Sequence, residues 1–351
     1  MNEPSGAGAA PQPRPGARAR ATVLCAATLA AGAALAACGD DGGDGTLTVY
    51  SGREEELVAP LFDRYEEESG DEVEVRYGDS AELAATILEE GDNSPADVFF
   101  SQDAGALGAL EKEGRLAELP VELVGEVDPE FRSTEGRWVG TSGRARVVAY
   151  NTEELSERDL PASLLDFTDR QWADRIGWAP TNASFQAQVT ALRATEGDDV
   201  AAEWLEGVAA NDPESLEDNE AVRDAIAAGE IDVGFINHYY VAQAQEEEGP
   251  EYPVDVYFPP DGDIGSLINV AGAGVIAGGD ESEGVDFVEF LLTPETQRFF
   301  SEETKEYPLI EEVEADPSVV PLERIEQPEI DLGDLDDLRG TLELIEQSGA
   351  L

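Results

Sequence analysis

The stretch TLTVYSGREEELVAPLFDRYEEESGDEVEVRYG, residues 46–78, decides which fold class the chain can adopt. Polar and β-branched residues alternate in residues 46–52, and the alternation returns in residues 71–78, so both stretches are predicted to be strands. Between them, apolar side chains recur at helical spacing from Leu57 to Tyr65. A strand, a helix and a second strand in this order are typical of an α/β unit.

The same alternation continues along the chain. Residues 79–91 are predicted to form a helix capped by Asp79 or Ser80, followed by a strand over 96–100 and a helix at about 103–113. This order implies a mostly parallel sheet with helices on both faces. Two further stretches follow a less regular pattern. Residues 137–155 contain two strand-like stretches around glycines, and residues 284–303 form one amphipathic helix.

Composition limits the partners of the protein. The chain has 351 residues, 41% of them hydrophobic, with 21 Lys and Arg against 78 Asp and Glu and a net charge of −57. A field of this sign excludes binding to nucleic acid through phosphate contacts. The acidic residues are spread along the chain, which favours a surface adapted to high salt, where screening weakens self-repulsion. The alternative is an ordinary acidic, soluble protein.

The N-terminus is predicted to be a targeting segment. Arginines precede the short apolar run of residues 21–37, which ends in LAAC, residues 35–38. This order resembles the bacterial lipoprotein lipobox, which implies that residues 1–37 are a signal peptide and that Cys38 is lipidated. Residues 38–45 then carry the lipidated Cys and an acidic tether, and the protein is held at the extracytoplasmic face of the cell membrane. The alternatives are an ordinary signal peptide and an N-terminal anchor helix.

Several stretches, taken in order, point to one family. They are TLTVYSG at 46–52, SGRARVVAYNTEEL at 142–155, PTNASFQAQV at 180–189, AAGEIDVGFINHYY at 227–240 and EYPLI at 306–310. Together they resemble the periplasmic ferric-ion-binding proteins of bacterial ABC importers, over nearly all of residues 46–351.

This resemblance implies a type II periplasmic-binding-protein fold, in which two α/β domains are joined by two hinge strands with a ligand cleft between them. The first domain would take residues 46–145 plus 270–318, and the second would take 146–269 plus 319–351. The hinge strands would lie near residues 144–148 and 269–272.

Tyr239 and Tyr240 are the strongest candidates for metal ligands, because they directly follow a predicted buried strand. Fe(III) is a hard cation that favours oxygen anions, and a bound cation drives the proton off a phenol whose free pKa is about 10. The alternative is a pair of aromatic residues in the cleft wall that pack against an organic ligand or against the hinge.

The other metal positions depart from the family pattern. Glu54 stands where the family often has a His, and Gln102, with Asp103 next to it, stands where the family often has a Glu. Glu54 and Asp103 can supply carboxylates in their place. The alternative for Glu54 is an acid at a helix N-terminus that the helix dipole stabilises.

The resemblance also implies a synergistic anion, phosphate or carbonate, opposite the tyrosines. Free N–H groups at a helix start suit an anion. Arg144 and Arg146 would add positive charge, or would instead form hinge salt bridges. His238, the chain's single histidine, is a neighbour of the site and not a ligand. The predicted anion donors are Asn182, Ala183, Ser184, Asn219, Asn237 and Arg144.

The resemblance therefore predicts a monomeric, lipid-anchored binding protein that captures Fe(III) and delivers it to an ABC permease and its ATPase. An enzyme is not expected, since the chain has no Ser-His-Asp order, no phosphate-binding Gly loop and no HExxH motif. The alternative keeps the fold and changes the ligand to an organic solute such as thiamine, a polyamine or a phosphonate.

Overall fold

A computed structural model describes residues 46–350, and within them the strands form one mixed sheet. The strands are β1 Thr46–Ser51, β2 Glu72–Tyr77, β3 Val98–Ser101, β4 Val139–Asn151, β5 Ile176–Trp178, β6 Glu214–Ser215, β7 Val233–Asn237, β8 Val254–Tyr257 and β9 Ile268–Val275. The helices are α1 Glu55–Ser69, α2 Ser80–Glu90, α3 Ala104–Lys112, α4 Val121–Val124, α5 Ala183–Glu196, α6 Asp198–Ala209, α7 Asn219–Ala227, α8 Tyr239–Glu248, α9 Glu281–Leu291, α10 Pro294–Glu302 and α11 Leu338–Ser348.

The strand order is β2-β1-β3-β9-β4-β7-β5-β6, and β8 pairs with β4. β1 runs parallel to β2 and β3, and β5 runs parallel to β6 and β7, as the alternation of strands and helices predicts. β4 and β9 are antiparallel to their neighbours. The sheet is therefore parallel in its outer parts and antiparallel at its centre.

β4 joins the two halves of the sheet. Its first part pairs with β9 up to Ala145 opposite Ile268, and its second part pairs with β7 from Arg146 opposite Asn237. We call β2, β1, β3 and β9 the first half, and β7, β5, β6 and β8 the second half. The change of partner falls inside the segment 144–148 that was expected to be a hinge, while the division into domains stays a prediction.

Two elements differ from the sequence expectation. β4 is one continuous strand of 13 buried residues and not two strands around glycines. A Cβ on Gly140 would lie 2.6 Å from the Phe131 carbonyl oxygen, so this glycine permits close packing and does not interrupt the strand. Residues 284–303 form two helices, because Pro294 starts α10 with the Thr293 side chain as its N-cap.

The core follows the apolar pattern of the sequence. α1 buries Val58, Leu61, Phe62 and Tyr65 on one face, and the four tryptophans of the chain are buried. The C-terminal helix α11 packs against α5 and α6 in the second half. Within residues 46–350, none of the helices combines the length and the apolar character that crossing a membrane requires.

Candidate metal and anion site

Segments from both halves of the sheet meet at a cavity of about 240 Å³. All the residues predicted for the metal and for the anion line this cavity. Its lining residues are Gly52, Glu54, Gly78, Asp79, Gln102, Asp103, Arg144, Asn182, Ala183, Ser184, Asn219, Asn237, Tyr239, Tyr240 and Asn269. A larger cavity of about 910 Å³ lies under residues 307–324, and none of the predicted site residues contributes to it. Cys38, the predicted lipidation site, lies outside the described residues.

The tyrosine pair occupies the first turn of α8. Only His238 separates β7 from α8. Tyr239 and Tyr240 therefore follow a buried strand, as predicted, and they are the first two residues of a helix. Their ring centroids are 4.3 Å apart with an interplanar angle of 32°. Tyr239 is buried and Tyr240 is half-buried. The helix holds the two phenols side by side at the cavity wall.

Both phenols are neutral at ordinary pH. Burial raises the pKa of Tyr239 above its usual 10.0, and the Arg144 guanidinium acts in the opposite direction. Burial also raises the pKa of Tyr240, and Tyr239 and Glu54 add to the increase. A ligand that uses these oxygens as phenolates must therefore displace protons and replace them with positive charge.

Glu54 is the oxygen donor of the first half that is most accessible to a ligand. Glu54 is exposed at the start of α1, and its side chain makes no capping hydrogen bond to the helix. Its carboxylate is therefore available to the cavity, although it also lies near the positive end of the helix.

Asp103 and Gln102 follow β3. Asp103 caps α3 by accepting a hydrogen bond from the Ala106 N–H at 3.1 Å, which engages one carboxylate oxygen. Burial raises the pKa of this carboxyl, while the Ala106 N–H and Arg144 oppose the increase. Among the described residues, Gln102 Oε1 is buried and contacts no hydrogen-bond donor. Gln102 and Glu54 thus offer free oxygen atoms, whereas Asp103 offers one at most.

The second half contributes the predicted anion donors. Asn182 caps α5, and its Oδ1 accepts hydrogen bonds from the Ser184 N–H at 3.0 Å and the Ser184 hydroxyl at 2.5 Å. Asn219 begins α7, and Asn237 ends β7. These three residues border the same cavity as the tyrosines, and N–H groups at helix starts suit an anion.

The two arginines of β4 form no salt bridge within residues 46–350, so the hinge salt bridges considered for them are absent there. Arg144 is 3% exposed and lines the cavity, and its buried Nε contacts no acceptor in that part of the chain. Arg146 is equally buried but lies behind the cavity wall, hydrogen-bonded to Ser184, Asn219 and Asn237. Both arginines bring positive charge to the anion side.

His238 lies outside the cavity lining, as expected for a neighbour of the site. Its Nδ1 accepts a hydrogen bond from the Ala145 N–H at 3.2 Å, and its ring stacks on Tyr307 at 4.4 Å. Burial lowers the pKa of His238 to about 4. The neutral ring therefore supports the junction of β4 and α8.

A sequence model for bacterial extracellular solute-binding proteins matches residues 93–331. The chain belongs to this family. It is 33% identical over 334 residues to the major ferric iron-binding protein of Neisseria meningitidis serogroup B strain MC58, with 94% of this chain and 98% of that protein covered. It is 29% identical over 333 residues to the Fe(3+)-binding periplasmic protein of Serratia marcescens, with 94% and 96% covered.

Solved structures of similar proteins show the same architecture. Iron-bound HitA from Pseudomonas aeruginosa shares 33% identity with a TM-score of 0.80, covering 87% of this chain and 99% of that one. FutA from Trichodesmium, solved with iron and citrate ligands, shares 28% identity with a TM-score of 0.75 over the same fractions. These likenesses confirm the type II periplasmic-binding-protein fold. Members of this family are binding proteins, which confirms that the chain is not an enzyme.

Sequence reasoning missed four residues of the lining: Gly52, Gly78, Asp79 and Asn269. Asp79 was expected as the cap of α2, and its position after a predicted strand was the signal that it also faces the cavity. Asn269 gave no such signal, because it stands inside the apolar strand β9. Its Oδ1 accepts hydrogen bonds from the N–H groups of Ala104 and Val270, at 3.3 and 2.8 Å.

Proposed function

We propose that the protein captures Fe(III), together with a synergistic anion such as phosphate or carbonate, and delivers it to an ABC permease and its ATPase. The observation that carries this proposal is the adjacent phenol pair of Tyr239 and Tyr240 in a cavity that also exposes Glu54 and Gln102. Two phenolates and a carboxylate form a hard oxygen site that suits a trivalent cation. The names of the iron-binding relatives support the same ligand.

The predicted anion donors in the cavity lining support the anion. Arg144, Asn182 and Asn219 line the cavity, and the two asparagines stand at helix starts, whose N–H groups suit an anion. A small oxyanion placed there would complete the coordination of the metal and would balance the arginine charge.

The alternative, an organic solute such as thiamine, a polyamine or a phosphonate, has less support. The tyrosine pair supplies the only aromatic side chains among the lining residues of a cavity of about 240 Å³. A flat organic cation would be expected to contact aromatic rings on more than one side.

The anchoring and the salt regime complete the proposal. We propose that residues 1–37 are a lipoprotein signal peptide and that Cys38 holds the protein, as a monomer, at the extracytoplasmic face of the cell membrane. The net charge of −57 is proposed to keep the protein hydrated at high ionic strength.

The deciding experiment adds Fe(III) with phosphate or citrate to the iron-free protein. The parent should develop a visible tyrosinate charge-transfer band. Tyr239→Phe and Tyr240→Phe should each weaken iron binding sharply, because each removes one anionic oxygen and keeps the ring. Tyr257→Phe, at the end of β8 and outside the cavity lining, is the matched control and should bind like the parent.

The pH dependence is a second measurement of the same binding. Since the pKa of both phenols is raised, iron must displace two protons. Affinity should therefore fall as the pH decreases, on the order of 100-fold per pH unit for two protons. If both cavity variants bind Fe(III) as tightly as the parent, the ferric proposal is wrong and an organic ligand must be sought.

A further inference from the structure

Arg146 lies directly behind the cavity wall that carries the predicted anion donors. It is 2% exposed and does not itself line the cavity. Three of the oxygen atoms that it contacts belong to residues that do line the cavity. Its guanidinium donates hydrogen bonds to Gln188 Oε1 (3.3 Å), Ser184 Oγ (2.9 Å), Asn219 Oδ1 (3.1 Å), Asn237 Oδ1 (3.0 Å) and the Phe235 carbonyl (2.6 Å).

These contacts determine which way the two amide groups point. An arginine has only donors, so each asparagine must turn Oδ1 toward it and its NH2 group away. Asn219 Nδ2 accordingly donates to the Ser184 hydroxyl at 3.4 Å, and the Asn237 side chain hydrogen-bonds the Tyr239 phenol. Arg146 therefore keeps Asn219 Oδ1 and Asn237 Oδ1 turned toward itself, so neither oxygen can face the ligand while Arg146 is in place.

The charge of Arg146 has no acidic partner in the part of the chain that the structure describes. All five of its hydrogen-bond partners are neutral. Burial lowers the pKa of Arg146 to about 9, which still leaves it protonated at neutral pH. A buried cation without a counter-ion is costly, and negative charge brought to the cavity reduces that cost.

We propose that Arg146 is a positioning residue that makes this wall specific for an oxyanion. It holds the amides of Asn219 and Asn237 with their N–H groups toward the cavity, and it supplies a positive charge that the bound anion balances. Arg146 does this without touching the ligand. The inference rests on the proposed function for the identity of the site, but its test uses inorganic phosphate without iron.

A positive charge alone would not hold the amides of Asn219 and Asn237 in this orientation. A lysine at position 146 would keep one positive charge, but its single ammonium group cannot reach five oxygen atoms arranged around a planar fork. The two amides would then be free to rotate and to present oxygen to the anion. The arrangement thus predicts that Arg146→Lys loses much of the anion affinity even though the net charge is unchanged.

The experiment titrates inorganic phosphate into the iron-free full chain by calorimetry, at fixed pH and ionic strength. Arg146→Gln and Arg146→Lys should each weaken phosphate binding by at least about tenfold, the loss expected when charge-assisted hydrogen bonds are no longer aligned. Arg193→Gln is the matched control. Arg193 is an arginine of α5 that pairs with Asp198 and Asp337 outside the cavity, so this variant should bind phosphate like the parent.

A second variant covers the case in which the Arg146 variants do not fold. Asn219→Asp keeps the shape of the side chain and gives Arg146 a carboxylate partner. It should retain or increase the unfolding midpoint in denaturant, yet lose phosphate affinity by at least about tenfold, because the wall becomes anionic and the arginine charge is already balanced. Since Asn219 is itself a predicted anion donor, the result specific to Arg146 is the retained or increased unfolding midpoint, and a lower midpoint would contradict an unbalanced arginine charge at this position.

The phosphate and iron titrations separate a failure of the Arg146 inference from a failure of the ferric proposal. Phosphate binding that is unchanged in Asn219→Asp or in Arg146→Lys overturns the inference. So does a parent that binds phosphate neither alone nor with Fe(III). If the parent binds phosphate only in the presence of Fe(III), the variants are compared in that state with the same expectations. A parent that binds phosphate but never develops a tyrosinate band contradicts the ferric proposal and leaves the role of Arg146 intact.

Discussion

Arg53 Nη2 lies 3.0 Å from both carboxylate oxygens of Glu306, although the two residues are 253 positions apart in the chain. Both side chains are buried, and the Ser142 hydroxyl donates a further hydrogen bond to Glu306 at 2.6 Å. Arg53 directly precedes Glu54, so the ion pair fixes the turn that brings Glu54 to the cavity. This pair therefore connects the stability of the fold to the geometry of the site.

Removing one partner of this pair should be strongly destabilising. Glu306→Ala leaves a buried guanidinium without its carboxylate, which typically costs about 3–5 kcal/mol of unfolding free energy. Denaturant unfolding at constant salt measures the loss. Glu68→Ala is the control, because it breaks the exposed Arg64–Glu68 pair within α1 and should cost no more than about 0.5 kcal/mol. Equal losses in the two variants would contradict the assignment of Arg53 and Glu306 as a structural pair.

His238 should remain neutral far below the usual histidine range. It is the only histidine of the chain, so its imidazole resonances can be followed by NMR without assignment. Burial lowers its pKa from 6.5 to about 4, and the iron-free protein should titrate accordingly. An imidazole that titrates near 6.5 in the folded protein would contradict the buried position.

The lowered pKa of His238 also makes the stability of the protein depend on pH. Between pH 6.5 and about 4 the unfolded chain binds more protons at this site than the folded protein, so stability is complete above 6.5 and falls as the pH decreases. The contribution amounts to about 3 kcal/mol at most. Because many carboxyl groups titrate in this range, the measurement is the difference between the parent and His238→Asn in denaturant unfolding at several pH values.

Glu54→Gln separates a metal ligand from an acid that only stabilises a helix. If Glu54 binds Fe(III), the amide should reduce iron affinity by more than about tenfold and shift the tyrosinate band, since a charged oxygen ligand is lost. Glu55→Gln is the matched control, because Glu55 is exposed in the first turn of the same helix. If both variants lose a few tenths of a kcal/mol in stability and neither changes iron binding, Glu54 acts only through the helix dipole.

Iron loading should make the protein more compact. Glu54 and Gln102 lie at the ends of strands in the first half of the sheet, while Tyr239 and Tyr240 belong to the second half, so one ligand held by both sets favours a closed arrangement. Small-angle scattering should show a smaller radius of gyration when Fe(III) and phosphate are added. The Tyr239→Phe protein at the same iron concentration should stay extended. An unchanged radius in the saturated parent would argue against a cleft site.

Cys38→Ala tests the anchor. The variant should fail to incorporate labelled lipid and should be found in the soluble fraction or misplaced, because the acylated thiol is the proposed attachment. The parent should incorporate the label and sediment with membranes. A Cys38→Ala protein that stays in the membrane would show that another feature of residues 1–37 holds it there.

Local patterns were enough to determine most of the elements. The alternation in residues 46–78 determined β1, α1 and β2. For α2 the sequence left Asp79 or Ser80 as the cap, and the structure selects Asp79. The two irregular stretches were predicted wrongly in opposite directions. Glycines were taken to divide β4, but Gly140 lies inside one continuous strand and permits close packing. Pro294 was taken to lie inside one helix, but it starts a second helix.

The candidate site was predicted as a set of residues mainly from the family resemblance, whereas the place of Tyr239 and Tyr240 directly after a buried strand came from the sequence pattern itself. What each residue does there was decided by the tertiary structure. The sequence could not show that Asp103 uses one oxygen to cap α3 or that Arg146 lies behind the cavity wall and not in its lining. The direction of a hydrogen bond depends on partners from distant segments, and only folding brings the Oδ1 atoms of Asn219 and Asn237 within 3.1 Å of the Arg146 guanidinium.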